Sequence, residues 1–379
     1  MKPVMRFRKL FLLSLIMLAF TSLSQAGMMR LGLFSGQDIQ SVVFSVIEGE
    51  YILTGDAQQI AVIRKGNMFH IELTRSRVTV HDTSQLYGTY SKLEFKGVSA
   101  GNIFQIKPVY PSLASKESED NLMLDVRENA LRLINILDLE KYIPGTIEAE
   151  GGPNASAEFY KAQAVLSRTY AIRNFARHAH EGFNLCDAVH CQAFNGKSRM
   201  NPMIYRAVDE TRNEILVDQD GKPIFTAFHA NCGGITSSAS MTWNRDLPYL
   251  ISVHDPFCDA SSRRDWKKMI SRQEWNDYLN KKGLAADVDT YHNLSEPGRH
   301  KYLEAGQQKL LLTIIREDLN LRSSFFVLVL TDESVTIQGH GYGHGAGMCQ
   351  EGAMEMARVG YTYMDILMFY FYHVRLEKR

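Results

Sequence analysis

The stretch YIPGTIEAEGGPNASAEFYKAQAVLSRTY, residues 142–170, is where a β-rich sequence ends and a long helix begins. The Gly-Gly-Pro sequence at 151–153 predicts a turn there, because glycine tolerates unusual backbone angles and proline cannot donate a backbone hydrogen bond. Glu148 and Glu150 stand directly before this turn. We therefore expect two carboxylates at the edge of the fold, between a strand region and a helix.

Residues 156–178 have the spacing of an amphipathic helix. Apolar or small side chains recur every three or four positions, which predicts one buried stripe along the helix. The stripe consists of Phe159, Ala162, Val165 or Leu166, Thr169, Ile172 and Phe175 or Ala176.

The sequence before this helix reads as a small β-rich module at residues 27–120, because short apolar runs alternate with Gly, Asp and Ser from residue 30 to 107. Residues 109–120 are a plausible junction, with a loop inside one domain as the alternative. A hairpin-like pair then opens the main domain, 121–379. We expect an α+β fold in which helices pack on a mixed or antiparallel sheet, with a looser insertion of surface helices around residues 258–310.

The C-terminal region alternates apolar and glycine-rich segments. Two strands are predicted at 325–330 and 334–339, followed by a glycine loop at 339–347 and helices at 348–359 and 363–373. Thr362 and Asp365 have the spacing of a capping box at the start of the last helix.

The N-terminus predicts export. Four basic residues precede an apolar run at 10–20 and a small-residue cleavage site that ends at Ala26, so residues 1–26 read as a signal peptide. The alternative is an uncleaved N-terminal anchor. After cleavage we expect a soluble protein and not an integral membrane protein, since no later segment has the apolar length of a membrane helix. Lys plus Arg equals Asp plus Glu at 42 each, which gives no indication of nucleic acid as a partner.

Glu148 and Glu150 form the first chemical candidate. On an extended segment, alternate residues point the same way, so both carboxylates would face one cleft and their repulsion and burial would raise the pKa of one of them. A carboxyl group with a raised pKa can act as a general acid. The alternative is two solvated glutamates in a loop.

A metal site or a disulfide is predicted in the loop after the helix. His180, Cys186 and Cys191 supply an imidazole and two thiolates, three of the four ligands that zinc prefers, and His178 and His190 are further candidates. The competing interpretation is a disulfide between Cys186 and Cys191.

The chain has five cysteines, so at least one is free, metal-bound or paired between chains. Cys232 and Cys258 can form a second bridge between the core sheet and the insertion, and two free buried thiols are the alternative. The sequence contains neither a Gly-x-Ser-x-Gly nor a His-Glu-x-x-His motif, which removes the usual support for serine hydrolases and zincins.

Seven ordered blocks resemble the stage II sporulation protein D (SpoIID/LytB) family, over about residues 122–379. The blocks are YIPGTIEAE, EFYKAQAVLSRTYAI, CDAVHCQAF, FTAFHANCGG, LPYLISV, IIREDLNLRSSFF and GYGHGAGMCQEGAMEMARVGYTYMDIL. The resemblance implies a glycan-binding cleft and a peptidoglycan lytic transglycosylase, or, in a related branch, an enhancer of cell-wall amidases. A zinc-dependent amidase is a third interpretation.

The resemblance also implies roles for individual residues. Tyr142 and Gly145 match the family's Tyr-x-x-Gly, which places Glu150 on the catalytic position, although Gly151-Gly152 replaces the family's Met-Pro. His180, Cys186 and Cys191 match a zinc site in order and spacing, and we expect this zinc to be structural. Positions near the cleft are matched by Lys161, Gln163, Arg168, Tyr170 and His344.

The implied chemistry needs one glutamate and no organic cofactor. Glu150 would protonate the glycosidic oxygen and then take the proton of the C6 hydroxyl, which closes a 1,6-anhydro ring on N-acetylmuramic acid. The expected partners are peptidoglycan glycan strands and a cell-wall amidase, and the expected location is the periplasm or cell-wall side.

Overall fold

The structure, a computed structural model, describes residues 27–199, 201–258, 264–284, 294 and 298–379. The predicted signal peptide and part of the predicted insertion lie outside the described residues. The described part combines several sheets with helices, which confirms the α+β prediction. In this part of the chain, no helix is both long and apolar enough to cross a membrane.

The chain divides into two compact units, and the division differs from the predicted boundary at residue 120. The first unit runs to Glu150 and resumes at Asn174–Pro202, and the second comprises Gly151–Arg173 and Met203–Arg379. Residue 120 is not a boundary because strands on both sides of it pair in one sheet. Asn121–Arg127 pairs with Lys92–Gly97, and Ala130–Asp138 pairs with Met28–Leu33.

Among its described residues, the first unit contains thirteen strands in two sheets and one α-helix, Leu139–Gly151 (α1). The strands are Met28–Leu33 (β1), Ser41–Glu48 (β2), Glu50–Gly55 (β3), Gln58–Arg64 (β4), Met68–Thr74 (β5), Arg77–His81 (β6), Leu86–Tyr90 (β7), Lys92–Gly97 (β8), Ile103–Tyr110 (β9), Lys116–Glu119 (β10), Asn121–Arg127 (β11), Ala130–Asp138 (β12) and Leu185–Cys186 (β13). One sheet has the order β13-β1-β12-β11-β8-β3-β4 and the other β10-β9-β2-β5-β6-β7.

The core of the first unit follows from alternation along its strands. Along β2, Val42, Phe44 and Val46 are buried while their neighbours are not, as a half-buried strand requires. The Phe44 ring stacks at 3.8 Å on Phe95 of the other sheet, and Phe104 stacks on it at 5.4 Å. Aromatic side chains from both sheets thus fill the space between them.

The second unit contains short strands and seven α-helices among its described residues. Its strands are Glu214–Val217 (β14), Phe228–His229 (β15), Asp265–Ser271 (β16), Tyr302–Ala305 (β17), Gln308–Leu311 (β18), Phe326–Leu330 (β19), Ser334–His340 (β20), Met348–Cys349 (β21) and Arg375–Lys378 (β22). Its helices are Ala157–Arg173 (α2), Pro202–Glu210 (α3), Ala239–Trp243 (α4), Arg272–Lys281 (α5), Leu312–Asp318 (α6), Gln350–Arg358 (α7) and Tyr363–Tyr370 (α8).

Helix α2 is shorter and more deeply buried than its sequence indicates. It ends at Arg173, five residues before the predicted end, and Phe175 beyond it is 41% exposed. Twelve of its seventeen residues are buried, including the polar Gln163, Ser167 and Arg168. The prediction of a single buried stripe is therefore wrong, because neighbouring elements cover the helix on most of its surface.

The predicted insertion contains the strands β16, β17 and most of β18 as well as the helix α5. Asp265–Ser271 was predicted as helical surface but forms β16, which pairs with β20 along its whole length. Its exposure alternates, and Trp266 and Ile270 pack against a cluster that includes Trp275 and Phe326. The helix α5 and the strands β19 and β20 agree with the prediction.

Candidate functional site

Glu148 and Glu150 lie in the last turns of α1, and the predicted extended segment is therefore wrong. The helix continues past Pro144 and ends at Gly151, and Gly152 follows with a φ of +73°, so the predicted turn before α2 is present. Residues two apart on a helix point in different directions. The two carboxylates consequently have different partners.

A loop at residues 192–199 packs on α1 and supplies those partners. Gly145 makes the close approach possible, because a Cβ at this position would lie 2.2 Å from the carbonyl oxygen of Gly196. The Tyr142 ring stacks on Phe194 at 5.4 Å, and its hydroxyl donates to the side-chain oxygen of Gln192 at 3.3 Å. The Tyr-x-x-Gly spacing thus fixes the position of the loop.

The loop binds each carboxylate through a different segment. The backbone N–H of Ala193 donates to Glu150 Oε1 at 2.7 Å. Glu148 Oε2 accepts from the Ser198 hydroxyl at 2.7 Å and from the backbone N–H of Arg199 at 3.2 Å. Burial raises the pKa of Glu150, and the hydrogen bond from Ala193 offsets part of that rise. Glu150 therefore has the environment of a general acid.

A group of four metal-ligand side chains lies immediately before this loop. Ligand atoms of His178, Cys186, His190 and Cys191 are all within 4.8 Å of one another. His178 Nε2 is 3.4 Å from Cys191 Sγ, and His190 Nδ1 is 3.7 Å from Cys186 Sγ. Cys186 is placed by β13, which pairs in parallel with β1. Both cysteines are free thiols in the structure.

The structure places His178, and not the predicted ligand His180, beside the two thiols. The Nδ1 atom of His178 is 2.6 Å from Glu181 Oε1, which leaves Nε2 directed at the thiols. Such a carboxylate partner is the usual outer neighbour of a metal-bound histidine. The side chain of His180 is 74% exposed and is not among the four grouped residues.

The predicted substrate-binding residues of α2 lie in the second unit, and two of them are fully buried. Arg168 is 1% exposed, and it donates to the carbonyl oxygens of Glu214 at 3.0 Å and Val208 at 3.4 Å. Gln163 is 0% exposed, and its amide atoms have no partner among the described residues. Arg168 thus joins α2 to its neighbours, and neither side chain offers polar groups to the surface.

The other predicted substrate-binding residues of the second unit are Lys161, Tyr170 and His344. Lys161 forms ion pairs with Glu158 and Glu210, each at 2.8 Å. Tyr170 is buried, with 8% of its surface exposed. Burial, together with the nearby charge of Arg316, lowers the pKa of His344 to about 4, so its imidazole is neutral at pH 7.

His344 belongs to an aromatic cluster that sequence reasoning missed. Its ring centroid lies 5.0 Å from that of Trp243 and 5.5 Å from that of His229. His229 donates from Nδ1 to the carbonyl oxygen of Ala346 at 3.1 Å, and its buried Nε2 has no partner among the described residues. The only signal in the sequence was the presence of His229 in the FTAFHANCGG block.

Comparison with known proteins supports the resemblance of the sequence to one family. A family model described as "Stage II sporulation protein" (SpoIID) matches residues 127–217, which include Glu150 and the four-residue metal-ligand group. An uncharacterized protein of Brachyspira hyodysenteriae is 33% identical over 72% of this chain and 75% of its own length.

Two relatives carry informative names. The stage II sporulation protein D of Bacillus amyloliquefaciens is 28% identical over 74% of this chain and 85% of its own length. The amidase enhancer of Bacillus subtilis is 27% identical over 75% of this chain and 49% of its own length.

Proposed function

Because this chain belongs to the stage II sporulation protein D family, we propose that it acts on cell-wall peptidoglycan as a lytic transglycosylase, with Glu150 as general acid and base. The observation that carries the proposal is the Glu150 carboxyl itself. It lies at the end of a helix, accepts a hydrogen bond from the Ala193 N–H, and has a pKa raised by burial. We place the protein at the cell-wall side of the cytoplasmic membrane.

One carboxyl group suffices for the proposed reaction. Protonated Glu150 gives its proton to the glycosidic oxygen beside N-acetylmuramic acid, and the bond from that oxygen to the sugar C1 breaks. The Glu150 carboxylate then takes the proton of the same sugar's C6 hydroxyl while O6 bonds to C1, so the enzyme recovers its proton and no water is consumed. The Ala193 N–H stabilises the carboxylate between the two steps.

We also propose that His178, Cys186, His190 and Cys191 bind a structural zinc ion. Two sulfurs and two imidazole nitrogens are a tetrahedral donor set of the kind found in closed zinc sites. When bound, zinc would crosslink His178 to Cys191 and so join the two ends of the segment 178–191. Cys191 is two residues before Ala193, so these ligands fix the backbone that donates to Glu150.

The glycan-cleavage test compares Glu150→Gln with Glu148→Gln. The amide that replaces the Glu150 carboxyl cannot donate a proton to the leaving oxygen, so the release of 1,6-anhydro ends from purified glycan strands should fall by about 100- to 10,000-fold. Glu148→Gln is the matched control on the same helix and should remain within a few-fold of wild type. Wild-type levels of anhydro ends from Glu150→Gln would contradict the proposal.

A second candidate function is stimulation of a cell-wall amidase without glycan cleavage. The similarity to the Bacillus subtilis amidase enhancer favours it. In that case neither wild type nor Glu150→Gln yields anhydro ends, from strands with or without stem peptides, and both stimulate an added amidase equally.

The zinc proposal is tested by His178→Ala against His180→Ala. Loss of a ligand at residue 178 should lower zinc affinity by at least about tenfold, whereas loss of the exposed His180 should leave it unchanged. Elemental analysis of protein purified under reducing conditions measures the zinc content. A zinc-free wild type with a Cys186–Cys191 disulfide, or zinc loss only in His180→Ala, would contradict the assignment.

A further inference from the structure

A second cluster of metal-ligand side chains lies entirely within the second unit. Cys232, Asp255, Cys258 and Cys349 each contribute one ligand atom, and these four atoms lie within 4.8 Å of one another. None of the four residues is more than 1% exposed. The cluster shares no residue with the group around Cys186 and Cys191.

The distances within the cluster are close to those of a small tetrahedral site. Cys232 Sγ lies 3.3 Å from Cys258 Sγ and 3.2 Å from Asp255 Oδ2. A zinc ion with Zn–S distances of about 2.3 Å holds its sulfur ligands about 3.8 Å apart, so the two sulfurs would have to separate by about half an ångström to bind it.

Backbone N–H groups donate hydrogen bonds to two of the sulfurs. The N–H of Gly234 donates to Cys258 Sγ at 3.3 Å, and the N–H of Gly352 donates to Cys349 Sγ at 3.4 Å. Cys349 caps the N-terminus of α7, where the helix dipole stabilises negative charge. The guanidinium of Arg299 adds a positive charge nearby, since it donates to the carbonyl oxygen of Cys232 at 2.6 Å.

The Asp255 carboxylate is fixed in the cluster without a cationic side chain. The Tyr370 hydroxyl donates to Oδ2 at 2.8 Å and the backbone N–H of Phe257 donates to Oδ1 at 3.0 Å. A Cβ on residue 352 would lie 2.4 Å from Oδ2, so Gly352 is needed for this position. Among the described residues, no Lys or Arg pairs with Asp255, and a buried carboxylate is costly without a cation.

We propose that Cys232, Asp255, Cys258 and Cys349 bind a second structural zinc ion. A disulfide accounts for only two of the three thiols and leaves Asp255 buried without a cation, whereas one tetrahedral ion uses all four donors. Binding displaces the thiol protons into solvent. A surface pocket with Phe257, Cys258, Glu351 and Arg358 in its lining borders the cluster at Cys258. The proposal does not depend on the proposed glycan cleavage.

The test starts from the double variant Cys186→Ser/Cys191→Ser, which removes the sulfur ligands of the first unit. This protein, purified under reducing conditions and loaded with zinc, should contain one zinc ion per chain. Cobalt substituted for that zinc should show thiolate-to-metal charge transfer and tetrahedral d–d absorption. Adding Cys349→Ser or Asp255→Asn should lower the zinc affinity by at least about tenfold.

Asp218→Asn is the matched control on the same background. Asp218 belongs to the same unit but accepts backbone N–H bonds from Asp220 and Lys222 in a surface turn, so its loss should leave the zinc content unchanged. Unchanged zinc affinity in Cys349→Ser would overturn the proposal, and so would a zinc-free background protein.

Thiol labelling of the wild-type protein keeps the test valid if the variants do not fold. Peptide mass analysis should find Cys232, Cys258 and Cys349 protected from alkylation in the zinc-loaded protein and labelled after a chelator is added. Equal labelling before and after chelation, or a disulfide between Cys232 and Cys258, would overturn the proposal.

Discussion

Glu150 shows how the pKa of a carboxyl group is raised without the charge of a second carboxylate. The shift in its pKa comes from burial, and the hydrogen bond from Ala193 acts in the opposite direction. Glu148 is bound to Ser198 and Arg199 instead. Charge repulsion between the two glutamates, which the sequence suggested, is not among the causes of the shift.

The raised pKa of Glu150 predicts that the stability of the folded protein depends on pH. The folded state binds the Glu150 proton more tightly than the unfolded state does. Proton binding at Glu150 therefore stabilises the fold fully below the ordinary pKa of 4.5, and this stabilisation is lost as pH rises through the pKa of the folded state. Glu150→Gln stays neutral and still accepts the Ala193 bond. We expect it to unfold at a higher temperature than wild type at neutral pH, with the difference vanishing in acid.

Thermal unfolding from acidic to neutral pH measures this effect. Glu148→Gln is the control with the opposite expected sign, because it replaces a carboxylate that accepts bonds from Ser198 and Arg199 with a weaker, neutral acceptor. A lower melting temperature of Glu150→Gln than of wild type at neutral pH would refute the expectation.

At the scale of single elements, the packing of α2 on its neighbours depends on the buried side chain of Arg168. Arg168 joins this helix to α3 and β14 through the carbonyl oxygens of Val208 and Glu214. Thr169 strengthens the same contact, since its hydroxyl accepts the N–H of Leu216 at 2.9 Å. Arg168 and Thr169 therefore bind neighbouring elements rather than solvent.

Arg168→Met should destabilise the protein by about 2–4 kcal/mol, because each buried carbonyl left without a donor costs about 1–3 kcal/mol. Arg173→Met is the control on the same helix. Arg173 is exposed and bonds only the Pro223 carbonyl in the described structure, so the expected change is about 0.5 kcal/mol or less. Denaturant unfolding distinguishes the two variants, and equal stabilities would disprove the structural role of Arg168.

At the scale of the whole molecule, the chain passes from the first unit to the second, back to the first, and again to the second. The helix α2 belongs to the second unit, while the metal-ligand loop after it returns to the first. A linear boundary cannot separate units connected in this way.

A fragment of residues 121–379 is therefore expected not to fold as a unit. Its strands β11 and β12 would lose β8 and β1, their partners in the seven-stranded sheet. We predict an aggregated fragment or one without a cooperative thermal transition, whereas residues 27–379 should unfold cooperatively. A soluble fragment with the near-ultraviolet circular dichroism of the longer chain would contradict this.

The sequence alone determined most local structure of the described chain. Alternation predicted the strands of the first unit and the pair β19 and β20, and the capping box of Thr362 and Asp365 is present at the start of α8. These features depend on neighbours a few residues apart, so their pattern is readable in one segment. The block that contains Glu150 was recognisable for the same reason.

Only the tertiary structure decided which of these segments meet. It placed His178 rather than His180 beside the thiols, buried Arg168 instead of exposing it, and joined Asp255 to the distant Cys349. It also showed that Glu150 lies on a helix, and that a loop 43 residues away packs against Gly145 and donates from Ala193. Burial and direction of a side chain depend on such distant partners, and no local pattern encodes them.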